Sequence, residues 1–285
     1  ALNAGALSEA INGVVTSVQQ VSGSGATAST SSLQLVAGDN NLVFRASYTT
    51  QLWTGDLQAF AINGSTGVIA NTATWSAQAK LDTTGASDRR IYFSDGSALR
   101  SFEYGNLSSA QRGYFDNLCS QTLIAAQCSV LSDSNKTLAN NGATLVEYLR
   151  GVRTYETTSV DTSNNSIAAL YRKREHVLGD IINGAPVYVG KPPFRYADAG
   201  YADFVTAQST RAPVVYVGSN DGMLHAFSAA TGSAGGTELW AYIPGAVMPN
   251  LYKMADTSYG SKHQYSVDGA PVMGDIKVGT TWKTI

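Results

Sequence analysis

The feature that most restricts how this chain can fold is a unit that occurs twice. Gly55–Gly67 (GDLQAFAINGSTG) and Gly222–Gly232 (GMLHAFSAATG) share G-x-L-x-A-F, then a Thr-Gly turn, then a tryptophan further on, Trp75 or Trp240. A shorter element also repeats: NGAPVYVG from Asn183 and DGAPVMGDI from Asp268 each set a polar turn and a proline ahead of an apolar strand. Around the second long copy the pattern is explicit. Val214 to Val217 reads as a strand, SNDG as a turn, Met223 to Phe227 as the next strand, AATG as a turn and ELWAYI as a third strand. Three antiparallel strands cannot bury both faces alone, so several such sheets must pack radially, with large residues such as Phe227 and Trp240 between neighbours. That arrangement is a β-propeller. The glycines do not read as a phosphate loop, because Gly218 and Gly222 lie between two strands rather than between a strand and a helix N-terminus.

The rest of the chain divides by periodicity. Leu7, Ile11, Val14 and Val18 recur at helical spacing, and Ser22 to Ser32 (SGSGATASTSS) is a low-complexity tract with nothing to bury, so residues 1–32 are expected to be a helix and a linker or exposed loop. Alternation in LQLVAG, NLVFRASY and LQAFAI predicts strands from Leu33 onward. NLSSAQRGYFDNLC predicts a short helix capped by Ser108 or Ser109, with Ala110, Tyr114 and Leu118 roughly on one face. TLVEYLRG and SIAALYRKREHVLGDII fit either helix or strand. Residues 33–160 are thus expected to hold the first β elements with an inserted helix and a cysteine loop, and 161–285 further blades. The terminal TTWKTI reads as a strand cut before its turn, as in a fragment of a longer protein. The fold class expected is mainly β, part of a β-propeller with helical and loop insertions.

Composition narrows function. Of 285 residues 44% are hydrophobic and only 14% charged, with a net charge of -2, which argues against nucleic acid or anionic lipid as a partner. Arg172-Lys173-Arg174, the longest basic run, reads as a solvated element end. No apolar stretch is long enough to span a membrane. The two cysteines, Cys119 and Cys128, suit a small disulfide loop better than a metal site, and a disulfide implies an oxidising compartment, periplasm or cell surface. Two buried thiols in a reducing compartment are the alternative. The three histidines, His176, His225 and His263, sit in unrelated segments without a hydrolase or metalloprotease motif, so each is expected to be structural. His225 alternates with Met223 and Phe227 and points with them toward a blade interface or an edge. Asp221 and Asp268, each followed by glycine, read as turn residues rather than bases.

The run VVYVGSNDGMLHAFSAATG followed by ELW is similar to the blade repeat of quinoprotein propellers. More of the chain, through LWTGDLQAFAI, ATWSAQAKL, RRIYFS, EYLRG, YRKREHVLGDIINGAPVYVG, ELWAYIPGAVMPNL and HQYSVDGAPVMGDI, resembles the PilC/PilY family of type IV pilus-tip adhesins and biogenesis factors. That resemblance implies the N-terminal part of a C-terminal, quinoprotein-like propeller region. It implies a noncatalytic protein of the pilus tip supporting biogenesis, adhesion and twitching motility. The implied partners are minor pilins of the tip complex and a host or abiotic surface. The implied location is the cell surface, with passage through periplasm or outer membrane during assembly. Family members also suggest a calcium loop before EYLRG, and Asp133, Asn135, Thr137 and Asn141 stand at matching alternate positions. One carboxylate among four oxygen donors would hold Ca²⁺ weakly. Where some members read Arg-Gly-Asp, this chain has Arg150-Gly151-Val152, without the carboxylate that integrin recognition requires. A PQQ-dependent quinoprotein dehydrogenase and a structural outer-membrane scaffold are the alternative functions. PQQ is not expected, because it needs a complete ring and a catalytic aspartate.

Overall fold

The computed structural model describes residues 22–24, 29–30, 41–63, 66–160 and 166–285. The helix expected over Leu7 to Val18 and the LQLVAG segment lie outside these residues. β1 (Ser22–Ser24) and β2 (Ser29–Thr30) both pair antiparallel with β3 (Asn41–Thr49). Part of the tract expected to be a linker is therefore a sheet edge, since strand pairing needs only main-chain N–H and C=O groups. β3 pairs along its whole length with β4 (Thr54–Ile62). Their alternation sorts the faces: Leu42, Phe44 and Ala46 join Leu57 and Ala59 in a core, while Val43, Phe60 and Ile62 form a small cluster on the other side. β5 (Trp75–Ser76) adds to β4 and runs into α1 (Ala77–Asp82), where the Ser76 side chain caps the helix by accepting from Ala79 N.

The hairpin of β6 (Ile91–Ser94) and β7 (Leu99–Ser101) precedes a helical insert. The insert comprises α2 (Ser109–Arg112), α3 (Ala125–Ser129), α4 (Asp133–Ala139) and α5 (Gly142–Arg150). Ser108 and Gln111 form a capping box on α2, which stops at Gly113 and is shorter than the sequence pattern predicts. Of the two possibilities for the cysteines, the disulfide is the one formed: Cys119–Cys128 ties the turn before α3 to that helix. After the small pair β8 (Ser159–Val160) and β9 (Ser166–Ile167) come β10 (Val187–Val189), α6 (Tyr201–Ala207), β11 (Val214–Ser219), β12 (Met223–Ser228) and β13 (Glu238–Ile243). A last hairpin, β14 (Asp275–Val278) with β15 (Thr281–Thr284), follows.

The second sheet has the order β10-β11-β12-β13-β6-β7 and is parallel only between β13 and β6. Its central β11–β12–β13 meander is the one the repeat pattern predicts. Its strands come from both sides of residue 160, so the helical insert and the β8–β9 pair lie in sequence between two parts of one sheet. Among the described residues neither sheet closes on itself. The register places Val215, Val217, Ser219, Met223, His225, Phe227 and Ala241 on one face. Two different covers share that face. Val215, Val217 and Phe227 pack on the first sheet. Met223, Ala241 and Ile243, with Ile91 and Phe93, pack beneath Phe102, Phe115, Leu145 and Tyr148 of the insert and the 3₁₀ helix Met248–Ala255. His225 sits where the two cores meet.

Two contacts give the repeats their physical meaning. Trp75 reaches from the first sheet to the turn after β12, where its Nε1 donates to Ala230 O at 3.1 Å. Its repeat counterpart Trp240 lies on the opposite face of the second sheet, half-buried beside Tyr216. The two short repeats meet directly: Asn183 N and Nδ2 donate to the Asp268 carboxylate at 3.1 and 2.5 Å. Gly218 is pressed against the same turn, where a Cβ would lie 2.6 Å from Val267 O. Only glycine permits that approach.

Candidate functional site

A chain of buried charges occupies the line between the two cores. β12 carries His225, whose side chain has 0% exposure, with Asp221 in the turn before it and Glu238 opening β13. His225 Nδ1 lies 2.8 Å from Glu238 Oε1, and Nε2 lies 3.1 Å from both oxygens of Asp221. Arg89, arriving just ahead of β6, donates from Nε and Nη2 to Glu238 at 2.8 and 2.9 Å and from Nη1 to Arg150 O at 2.8 Å. Burial disfavours the imidazolium of His225, but the charge and hydrogen bond of Asp221, with help from Glu238, outweigh it and lift its pKa to about 9. Burial likewise opposes ionisation of Glu238, and Arg89 with His225 overcomes it, holding Glu238 well below the usual carboxylate range. Asp221 is lowered despite its burial, chiefly by His225. Two cations and two carboxylates thus balance.

A second chain adjoins the first. Gly179 N donates to Asp221, and Asn220 N donates to Asp180 O at 2.9 Å, so the 178–180 segment is stitched to the β11–β12 turn. A Cβ at Gly179 would meet Asp221 N at 2.5 Å, which explains the glycine. Asp180 accepts from Asn220 Nδ2 at 2.6 Å and lies 3.0 Å from His263 Nε2. The His263 ring stacks on Trp53 with centroids 3.8 Å apart, and Trp53 Nε1 donates to Gly260 O at 2.7 Å. Between the chains is a cavity of about 20 Å³ bordered by Trp53, Arg172, Asp180, Asn220, Asp221 and Tyr259. It has room for one water. Outside it, along the 3₁₀ helix, opens a larger cleft of about 210 Å³. His176 completes the set, with Nδ1 2.5 Å from Asp82 at the end of α1. All three histidines therefore bridge to carboxylates, and two of these bridges tie together segments distant in sequence.

The structure corrects several sequence expectations. Asp133, Asn135 and Thr137 lie on α4 rather than in a loop, and alternate positions that share a side of an extended segment diverge on a helix. Asn135 Oδ1 accepts from Ala168 N, Thr137 Oγ1 donates to Asp133 O, and Asn141 Oδ1 caps α5 by accepting from Ala143 N. Among the described residues no group of three or more His, Cys, Asp or Glu side chains is placed to hold a metal ion. Arg150, Gly151 and Val152, the degenerate Arg-Gly-Asp position, fall at the C-terminus of α5. Gly151 has φ 117°, Val152 N donates to Glu147 O, and the Arg150 guanidinium is turned inward to Phe102 O, Ala86 O and Arg89 O. The basic run is not a solvated end either. Arg174 is buried against Glu156 at 2.6 Å and lies 3.9 Å over the Tyr148 ring, and Arg172 covers Tyr259 at 4.5 Å, leaving only Lys173 exposed. Sequence reading placed Asp221 in a turn, where it is, and Asp268 in a turn, where the structure has an irregular segment ahead of β14, but did not connect Asp221 to His225. It missed Arg89, Glu238, Asp180 and Trp53. The available signal was a charged residue at the border of an apolar strand, as at Arg89 before IYFS and Glu238 before LWAYI.

A repeated three-stranded meander, interlocked turns at its repeats and a buried ionic seam under a helical insert make a scaffold of two packed sheets, each carrying one copy of the long repeat. Residues 178–285 match the family model of the PilY1 beta-propeller domain. The type IV pilus biogenesis factor PilY1 of Pseudomonas aeruginosa strain PAK is 36% identical over 245 residues, covering 82% of this chain and 19% of that protein. A PilY1 homolog of Xylella fastidiosa is 33% identical over 278 residues, 94% of this chain and 19% of its own length. PilY1 of Pseudomonas aeruginosa strain UCBPP-PA14 is 31% identical over 298 residues, 98% of this chain and 23% of its own length. The chain belongs to the PilY1 family and spans about a fifth of the length of these relatives. No solved structure matches it significantly.

Proposed function

We propose that the chain is part of a noncatalytic protein of the type IV pilus, located at the cell surface on the pilus tip, where it supports pilus biogenesis, adhesion and twitching motility. The observation that carries this reading is the similarity to type IV pilus biogenesis factors over 82–98% of the chain. The buried seam is consistent with a framework, because both His225 nitrogens and the Asp221 and Glu238 carboxylates are engaged with one another and with Arg89. The sheets are read as blades of a quinoprotein-like propeller, with minor pilins as tip partners. The cysteine bridge favours the oxidising periplasm as the route of assembly. The experiment is deletion of the gene in its host, followed by counting of surface pili, a twitching assay and immunoblotting of sheared pili from the parent strain. Loss of pili and twitching, with the protein present in the sheared fraction, is expected. Normal piliation and twitching, with no protein in that fraction, would sink the proposal.

A further inference from the structure

The cleft of about 210 Å³ beside the 3₁₀ helix Met248–Ala255 has a composition that points to a ligand. Its floor is buried Met254 and Tyr259. One wall offers Asn250 and Lys253, and the other is the segment Gln264, Tyr265 and Ser266. Tyr265 is 63% exposed, a large ring held open to solvent. The wall that bears it is rigid. Ser266 N donates to Asn220 Oδ1 at 2.8 Å, and His263, clamped between Trp53 and Asp180, meets the Tyr265 ring edge-on at 5.1 Å. The floor is fixed as well, with Arg172 over the Tyr259 ring and the Tyr259 hydroxyl donating to Gln264 O. Burial, with Asp180 nearby, pushes the Tyr259 pKa up to about 12, so the floor stays neutral.

Within this frame the side-chain polar groups of Asn250, Tyr265 and Ser266 make no hydrogen bond to other described residues, while Lys253 Nζ uses one of its three N–H donors on Gln264 Oε1 at 2.9 Å. Among the described residues no carboxylate lines the cleft, and Lys253 is the one charged side chain that does. An open aromatic face, amide and hydroxyl groups at several angles, and one ammonium are complementary to a ring that is apolar on one face, polyhydroxylated at its rim and singly negative. An acyclic acid would leave the aromatic face unused, and a purely apolar ligand would strand the amides and the ammonium. The pre-set walls reduce the ordering needed on binding.

We propose that this cleft binds an acidic sugar residue, its C–H face against Tyr265, its hydroxyls on Asn250, Gln264 and Ser266, and its carboxylate on Lys253. The proposal does not depend on the pilus reading, because it concerns binding by the protein itself. The experiment is saturation-transfer difference NMR on the full-length protein with three probes: sialyllactose, lactose and acetate. Transfer to the ring protons of the acidic sugar is expected, at least ~10-fold stronger binding for sialyllactose than for lactose, and none for acetate. Tyr265→Ala should abolish transfer, and Lys253→Met should bring sialyllactose down to the level of lactose. Both side chains are on the surface or half-buried, and an unchanged thermal midpoint verifies folding. Absence of transfer from sialyllactose, equal binding of lactose and sialyllactose, or transfer that survives Tyr265→Ala would each overturn the proposal.

Discussion

Replacing Glu238 by Gln removes one charge from the seam without removing its volume. Glu238 has a 2% exposed side chain and accepts two hydrogen bonds from Arg89 and one from His225. In Glu238→Gln, Arg89 and His225 are left with Asp221 as their only carboxylate, and one acceptor becomes an amide N–H₂ facing donors. Breaking one side of a buried, hydrogen-bonded ionic network costs about 3–5 kcal/mol, a large part of the ~5–15 kcal/mol that holds a domain folded. With a urea dependence of about 2–3 kcal/mol per M for a chain of this size, the unfolding midpoint should fall by about 1–2.5 M. The assay is urea unfolding followed by tryptophan fluorescence at several pH values. The deficit should also change with pH. It should be largest below pH 6.5, where the wild-type protein has the full benefit of protonated His225, and should narrow as pH rises through 9 and that benefit is lost. An unaltered midpoint, or a deficit independent of pH across this range, would refute the account of the seam.

The wild-type protein carries the same signature on its own. The folded-state pKa of His225 is raised from 6.5 to about 9, so its contribution is fully present below pH 6.5 and lost as pH rises through 9, about 3 kcal/mol in all. His225→Gln should abolish that part of the pH profile. Trp75→Ala removes the indole joining the first sheet to the turn after β12 and should cost about 3–5 kcal/mol in thermal or urea unfolding, with Trp75→Phe losing much less. The cysteine bridge closes a loop of sequence separation 9, so Cys119→Ser with Cys128→Ser should destabilise by about 2–3 kcal/mol, and reductant should reproduce that loss in the parent protein only. By contrast Asp95 and Arg100 form an exposed pair, and Arg100→Ala should leave the urea midpoint where it is.

Much of the β architecture was legible because it rests on local pattern. Alternation in NLVFRASY and LQAFAI, and the glycine turns flanking Met223–Phe227, state which residues face inward, and the observed register follows them. The same local rules misled where two conformations use the same residue types. DSNKTLAN presents oxygen donors at alternate positions in an extended loop and disperses them on α4, and the choice is made by Ser132 capping the helix and by Asn135 finding Ala168 N. The basic run at Arg172–Arg174 looked solvated because charge is usually exposed, yet Glu156 and the rings of Tyr148 and Tyr259 make a partner for every inward guanidinium.

The sequence by itself determined the β3–β4 alternation, the β11–β12–β13 meander, the cysteine pairing as one of two options and the family, all of which depend on neighbours in the chain or on whole motifs. The ionic seam belongs to the tertiary structure. Arg89 and Glu238 are separated by 149 positions, and Asp180 and His263 by 83, so no periodicity links them. They meet because the first sheet and the helical insert cover adjacent halves of one sheet face and leave a line between two apolar cores. Charge along that line is tolerable only when each group finds its partner there.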